Sequence, residues 1–137
     1  MNSIFARQRT AIGWFVAAVV LVSCGKQVKK GDMPGEWSVR LPYGTEKLTI
    51  LPDGTYRQVF TYTNGYATNN EGKWTFDDRT HDLSLNDALY VHGPKFAKPE
   101  PEPTRTMLFI HANKTNDTMT LNLSEDGAVH FTRQDKK

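Results

Sequence analysis

The chain has 137 residues, of which 38% are hydrophobic and 23% are charged, and its formal net charge at pH 7 is +2. This length suits one domain with a modest core and excludes two lobes around a deep cleft. The single cysteine, Cys24, excludes a disulfide within the chain, so packing alone must hold the fold together.

Residues 1–23 have the organisation of a secretory signal peptide. Arg7 and Arg9 form a positive start, and residues 11–22 are uncharged and mostly apolar. Twelve residues of helix cover roughly 18 Å, less than the roughly 30 Å of hydrocarbon that a spanning helix must cross. The run therefore fits the short apolar core of a signal peptide, and Ser23 supplies the small residue that precedes a cleavage site.

Leu-Val-Ser-Cys at positions 21–24 resembles the lipobox of bacterial lipoproteins. The resemblance implies that the Cys24 thiol receives a diacylglyceryl group and that cleavage before Cys24 frees an amine, which is often acylated as well. A thiol is a strong nucleophile, and stable membrane anchoring takes at least two acyl chains. Two alternatives stay open, an uncleaved N-terminal anchor helix and an ordinary signal peptide with an unrelated cysteine.

The same resemblance implies a location in the bacterial cell envelope, anchored to a membrane. In enteric bacteria, an Asp directly after the anchor cysteine resembles an inner-membrane retention signal. This chain has Gly25 at that position. The outer membrane is therefore favoured if the source is a diderm. Residues 25–32 are mostly polar, and residues 24–34 are predicted to form a lipidated tether, whose lysines either lie against anionic headgroups or are simply solvated.

Removal of residues 1–23 changes the charge balance of the protein. The loss of Arg7 and Arg9 takes the basic count from 17 to 15, against 15 acidic residues. A near-neutral mature chain argues against nucleic acid as a partner.

Residues 35–137 read as a single β domain, because strand and turn signals alternate and no window shows a helical stripe. Turn signals such as Pro52-Asp53-Gly54 and Asn64-Gly65 separate the strands. The predicted strands are residues 36–41, 47–51, 55–63, 72–76, 82–85, 105–112, 118–123 and 128–133, with a weaker candidate at 88–92. Period-two alternation predicts a core of Leu48, Ile50, Tyr56, Phe60, Tyr62, Trp74, Phe76, Leu83, Leu85, Met119, Leu121, Leu123, Val129 and Phe131.

Gly-Glu-Trp at positions 35–37 and Gly-Lys-Trp at positions 72–74 repeat one hairpin design. Repeated hairpins favour an all-β fold, a small antiparallel up-and-down barrel of about eight strands. A β-sandwich or an open roll gives the same alternation and remains the alternative.

The Gly-x-Trp motif also resembles the first motif of lipocalins and other calycins. The resemblance implies a calycin-like barrel in which Trp37 begins the first strand and Arg133, near the end of the last strand, packs over it as a barrel-closing pair. It also implies a ligand-lining set of inward aromatic residues, unless the small barrel is filled by its own side chains. That set is Tyr56, Phe60, Tyr62 and Trp74.

Residues 93–104 interrupt the strand pattern. Pro99, Pro101 and Pro103 alternate with charged residues, and proline lacks the N–H that a central strand needs. The segment is predicted to be an extended surface loop. A docking segment for a partner, a lid over one end of the barrel and a solvated linker all remain open.

Catalytic and metal-binding signals are sparse. His81, His92, His111 and His130 lie far apart without metal-ligand spacing. Acidic residues concentrate in turns, where Asp bonds to the backbone, and no Gly-x-Ser-x-Gly motif is present. We therefore expect no catalytic residues, no metal and no cofactor.

Three functions follow from these expectations. The first is a lipid-anchored, non-enzymatic binding or accessory module for a protein or an envelope polymer, with Tyr43, Tyr66 and Tyr90 as exposed aromatic contacts. The alternative is a lipocalin-like carrier of a small apolar ligand, and the third is an enzyme. The identity of the partner or ligand, the presence of a cavity and the oligomeric state do not follow from the sequence.

Overall fold

The computed structural model of the chain describes residues 27–92, 103–116, 118–123 and 129–134. Within these ranges the chain forms a closed barrel whose neighbouring strands are all antiparallel. The strands are β1 (Gly35–Leu41), β2 (Gly44–Ile50), β3 (Thr55–Tyr62), β4 (Ala67–Asp77), β5 (Asp82–Tyr90), β6 (Thr104–Thr115), β7 (Thr118–Asn122) and β8 (His130–Arg133).

The barrel closes where β1 pairs with β8. Trp37 lies opposite Arg133, and Ser38 lies opposite Thr132. The prediction of an eight-stranded up-and-down barrel is therefore confirmed, and the sandwich and open-roll alternatives are excluded. Residues 1–26, which carry the predicted signal peptide and Cys24, lie outside the described residues, as do positions 93–102 of the proline-rich segment.

The two ends of the barrel differ in what surrounds them. The Trp37 end holds the start of β1 and the turns at residues 51–54 and 78–81. The Tyr62 end holds the turns at residues 42–43 and 63–66, and the connection from β5 to β6 leaves from it.

Alternation along the strands places the core inside the barrel. β2 buries every second residue from Gly44 to Ile50, and β3 does so from Tyr56 to Tyr62. Burial of each large apolar side chain contributes roughly 1.5–3 kcal/mol. The predicted core residues are buried, except that Phe76, Leu123 and Val129 are partly buried and pack against the core.

Residues 27–34, predicted as part of the tether, pack onto the Trp37 end. Val28 and Met33 belong to the core, and a single 3-10 turn spans Lys30–Asp32. The Lys30 amide donates a hydrogen bond to Asp78 Oδ1 at 3.0 Å. The packed domain therefore begins before Gly35, and two isolated apolar residues gave no periodic signal for it. No helix in the described part of the chain is long and apolar enough to cross a membrane.

The wall of the barrel is split between β4 and β5 toward the Tyr62 end. β4 pairs with β3 from Ala67 to Lys73, but it pairs with β5 only from Trp74 to Asp77. A β-bulge shifts the register of β5 between Leu85 and Ala88, and beyond it β5 follows β6. The weak strand candidate at residues 88–92 is the continuation of β5 past this bulge. We call the stretch where residues 67–73 and 86–91 are not paired as strands the wall split.

Candidate functional site

The predicted barrel-closing pair, Trp37 and Arg133, meets at the Trp37 end. The Arg133 guanidinium lies 5.4 Å from the centroid of the Trp37 ring. It also donates hydrogen bonds to the carbonyls of Asp32 and Pro34. Trp37 Nε1 donates to the Met33 carbonyl at 3.0 Å. Together these contacts fasten the N-terminal segment over the end of the barrel.

Trp74 repeats this arrangement on the other side of the same end. Its Nε1 donates to the Leu51 carbonyl at 2.8 Å, and Lys30 Nζ lies 5.5 Å from its ring centroid. The Gly-x-Trp repeat of the sequence thus corresponds to a repeated contact, an indole bonded to a carbonyl and covered by a cation. Trp74, predicted to line a ligand site, is engaged in packing this end.

The other three predicted lining residues lie inside the barrel. Tyr56 and Phe60 are fully buried, and Tyr62 is 3% exposed. The Phe60 and Tyr62 rings meet edge to face with centroids 4.7 Å apart, and Tyr43 and Tyr66 extend this cluster toward the Tyr62 end. Burial, together with Tyr66 and Tyr43, raises the pKa of Tyr62. The buried Tyr62 hydroxyl has no hydrogen-bond partner in the described part of the chain.

Polar side chains fill the wall split from the inside. Gln58 Nε2 donates to the Leu89 carbonyl at 2.9 Å, and the Leu89 amide donates to Gln58 Oε1 at 2.8 Å. The Gln58 amide therefore pairs with the backbone of Leu89 as a neighbouring strand would. Buried backbone groups must find partners, and this side chain supplies them where β4 does not.

Two further side chains bond to the bulge itself. The Tyr56 hydroxyl donates to the Asn86 carbonyl at 2.8 Å, and Asn70 Nδ2 donates to the Asp87 carbonyl. Burial, and then the charge of Asp87, raises the pKa of Tyr56 to about 12. Gly72 is needed beside them, because a Cβ there would lie 2.5 Å from the Asn86 carbonyl oxygen.

A buried carboxylate completes this polar set. Glu46 is 1% exposed, and its two oxygens bond to Gln58 Nε2 at 2.7 Å and to His92 Nε2. The Tyr43 hydroxyl donates to the Val91 carbonyl at 2.9 Å. Polar residues 46 and 58 stand at inward positions of alternating strands, and this was the signal in the sequence that could have found them.

Of the remaining histidines, His111 and His130 are exposed, whereas His81 is partly buried and its Nε2 has no hydrogen-bond partner in the described part of the chain. His111 Nδ1 lies 2.9 Å from Asp82 Oδ1, and its ring lies 6.4 Å from that of His81. His130 bonds to Asn122. Among the described residues, no group of three or more His, Cys, Asp or Glu side chains is placed to hold a metal ion.

Three surface depressions stand out on the outside of the barrel. The largest, which we call the β1–β3 groove, has a volume of about 790 Å³ at the Tyr62 end. A second of about 480 Å³ lies beside Arg133, and a third of about 290 Å³ opens at the wall split. The β1–β3 groove is lined by Arg40, Leu41, Pro42, Gly44, Thr45, Lys47, Thr61, Tyr62 and Thr63.

Exposed apolar residues add a second kind of surface. Met107 and Phe109 on β6 are 51% and 61% exposed, and Tyr66 is 48% exposed. Tyr43 and Tyr90, predicted as exposed aromatic contacts, are only partly exposed.

Comparison of the chain with protein families, with curated proteins and with solved structures gives no significant match. The residues and their geometry therefore carry the functional proposal.

Proposed function

We propose that this protein is a lipid-anchored lipoprotein of the bacterial cell envelope whose barrel acts as a non-enzymatic binding module. The observation that supports this best is the filled interior. The aromatic residues at positions 56, 60, 62 and 74 pack inside the barrel, and polar side chains occupy the space behind the wall split. Small barrels are commonly filled in this way, so a partner contacts the outer wall, where the grooves lie.

The lipid anchor is proposed from residues 21–24. Cys24 stands three positions before Gln27, where the described chain begins near the Trp37 end. A short connection of this kind holds the Trp37 end toward the membrane and directs the Tyr62 end away from it. In a diderm source, the outer membrane is the proposed location.

The carrier of a small apolar ligand is the second candidate. The contact of Arg133 with Trp37 supports it, because that pair is what the calycin resemblance implies. The buried side chains between Tyr56 and Tyr62 argue against it, because they take the place of a ligand.

Metabolic labelling tests the anchor. Cells that express the full chain, or its Cys24→Ala variant, are grown with a radioactive fatty acid. We expect label in the wild-type protein and none in the variant. Equal label in both proteins contradicts the lipoprotein proposal.

Native mass spectrometry tests the binding mode. The full-length protein is extracted from membranes in detergent, and its mass is compared before and after denaturation. We expect no apolar adduct beyond the covalent acyl chains. A stoichiometric apolar ligand that is released on denaturation supports the carrier and overturns the binding-module proposal.

A further inference from the structure

The β1–β3 groove brings two basic side chains together on the outer wall. Arg40 on β1 lies opposite Thr45 on β2, and Lys47 lies two residues further along β2. Arg40 and Lys47 are thus diagonal neighbours on one face, a separation of roughly 7–8 Å between backbone positions. Side chains of this length reach a common ion from such positions.

These two cations have no ion pair among the described residues, whereas most of the other arginines do. Arg57 pairs with Glu71 at 2.8 Å, and Arg105 pairs with Asp87 at 3.1 Å. Arg79 pairs with Asp77, and Arg133 bonds to carbonyls. Arg40 is the one arginine of the described residues for which the structure gives no such partner, and Lys47 has none there either.

Among the described residues that line the groove there is no carboxylate. Glu46 on β2 points into the barrel and is bound by Gln58 and His92, and Glu36 on β1, which shares the outer face, is diagonal to Lys47 on the side away from Arg40. Like charges that are close on a sheet destabilise it, and a bound anion relieves that repulsion. The local charge pattern is therefore suited to an anionic ligand.

The rest of the groove fits a hydroxylated molecule. Thr45, Thr61 and Thr63 line it with hydroxyl groups, and Leu41 and Pro42 add apolar surface. Gly44 permits close packing of β2 on β3, since a Cβ there would lie 2.5 Å from the Thr61 carbonyl oxygen. The volume of about 790 Å³ lies within the range of small-molecule sites, about 300–1,000 Å³.

We propose that the β1–β3 groove binds an anionic sugar unit, with Arg40 and Lys47 on its phosphate or carboxylate and the threonines near its hydroxyls. The inference rests on the proposed function, because it assigns a site and a ligand chemistry to the binding module. An anionic lipid headgroup offers the same charge, and the experiment separates the two sources.

The test is calorimetric titration of the detergent-solubilised full chain. The probes are glucose 1-phosphate, glucuronate, inorganic phosphate, neutral glucose, and vesicles with and without anionic lipid. The double variant Arg40→Ala/Lys47→Ala removes both cations, and Lys73→Ala/Arg79→Ala removes the same charge at exposed positions toward the Trp37 end. Circular dichroism checks that each variant is folded, and Arg40→Gln serves as a milder change.

We expect the sugar phosphate or the glucuronate to bind more tightly than glucose, and the double variant to lose about tenfold or more in affinity. The Lys73→Ala/Arg79→Ala control keeps wild-type affinity. Equal binding by both double variants, equal binding of glucose, or no binding of any sugar probe overturns the inference. Binding confined to anionic vesicles also overturns it and assigns the groove to a lipid surface.

The two proposals fail in different ways. An apolar ligand in the mass spectrum, or unchanged labelling of Cys24→Ala, contradicts the proposed function and says nothing against anion binding. A flat titration in a protein that is labelled at Cys24 and free of apolar ligand contradicts the groove alone.

Discussion

The two ends of the barrel are held together by different kinds of contact. At the Trp37 end, strand pairing is continuous from β1 to β8, and two indoles, each covered by a cation, pack over the core. Toward the Tyr62 end, β4 and β5 separate, and side chains bond to the backbone of residues 86–91 instead. The comparison shows that two neighbouring strands of a barrel need not pair along their whole length. Inward polar side chains can bond to the buried backbone groups that the neighbouring strand leaves without partners.

Because their contacts differ, the two ends are expected to lose stability for different reasons when a side chain is mutated. Apolar burial at the Trp37 end depends on packing volume, so its loss creates a cavity. The polar set at the wall split depends on complete pairing, because an unsatisfied buried group costs about 1–3 kcal/mol. Removal of one side chain of this polar set therefore leaves several other buried groups without a hydrogen-bond partner.

The largest expected effect is at the Trp37 end. Trp37→Ala removes a side chain that is 1% exposed, its bond to Met33 and its contact with Arg133. We expect the free energy of unfolding in urea to fall by about 3–5 kcal/mol. Arg79→Ala, at an exposed turn, is the control and should change it by less than about 0.5 kcal/mol. A loss under about 1 kcal/mol for Trp37→Ala means that this end is not anchored by the indole.

The wall split gives the next effect. Gln58→Leu leaves the amide and the carbonyl of Leu89 without partners, and Glu46 loses a donor. We expect a loss of about 2–4 kcal/mol and faster hydrogen exchange at the Leu89 amide. Gln134→Leu, which removes an exposed amide bonded to Ser38, is the matched control. If exchange at Leu89 stays at the wild-type rate, Gln58 does not replace a strand.

Alkaline pH gives a third effect at the same split. The pKa of Tyr56 is raised to about 12 in the folded protein, from an ordinary value near 10. Between these values the unfolded chain loses a proton that the folded chain keeps, so stability falls as pH rises from 10 to 12, by about 2 kcal/mol. Below pH 10 both states keep the proton, and the contribution is flat. Urea unfolding at several pH values should show a smaller slope in Tyr56→Phe, with Tyr66→Phe as the control. An unchanged slope in Tyr56→Phe contradicts the assignment.

The smallest expected effect is at Arg133. Arg133→Gln keeps a hydrogen-bond donor near the carbonyls of Asp32 and Pro34 but removes the cation over Trp37. Since the side chain is exposed, we expect a loss of about 1 kcal/mol, measured by urea unfolding. A loss as large as that of Trp37→Ala would show that the guanidinium, and not the indole, fastens this end.

The strand pattern followed from the sequence because alternation is a local signal, whereas the pairing of Trp37 with Arg133 was expected only from the calycin resemblance. Trp74 pairs with Leu85 and Phe76 pairs with Leu83, as the hairpin prediction required. The first half of β4 gave no signal, since Ala-Thr-Asn-Asn-Glu at residues 67–71 has low strand propensity. It forms a strand because β3 beside it supplies the pairing.

The wall split and the β1–β3 groove could not be predicted from local sequence patterns. The split depends on the bulge, where Asp87 adopts a φ of 58° that no turn motif announces. The groove depends on register, which alone brings Arg40 beside Thr45 and sets Lys47 diagonal to it. A single sequence records that both side chains are basic, but not that they line the same groove.

The hydrogen bonds of Arg133 to the N-terminal segment determine where the chain enters and leaves the barrel. Arg133 holds Asp32 and Pro34, and the Gln134 amide donates to the Glu36 carbonyl at 2.8 Å, so the chain enters β1 and leaves β8 side by side. Any segment joined before residue 27 or after residue 134 thus departs from the same end. A fused reporter or a membrane attachment at either position leaves the opposite rim, with its groove, sterically accessible.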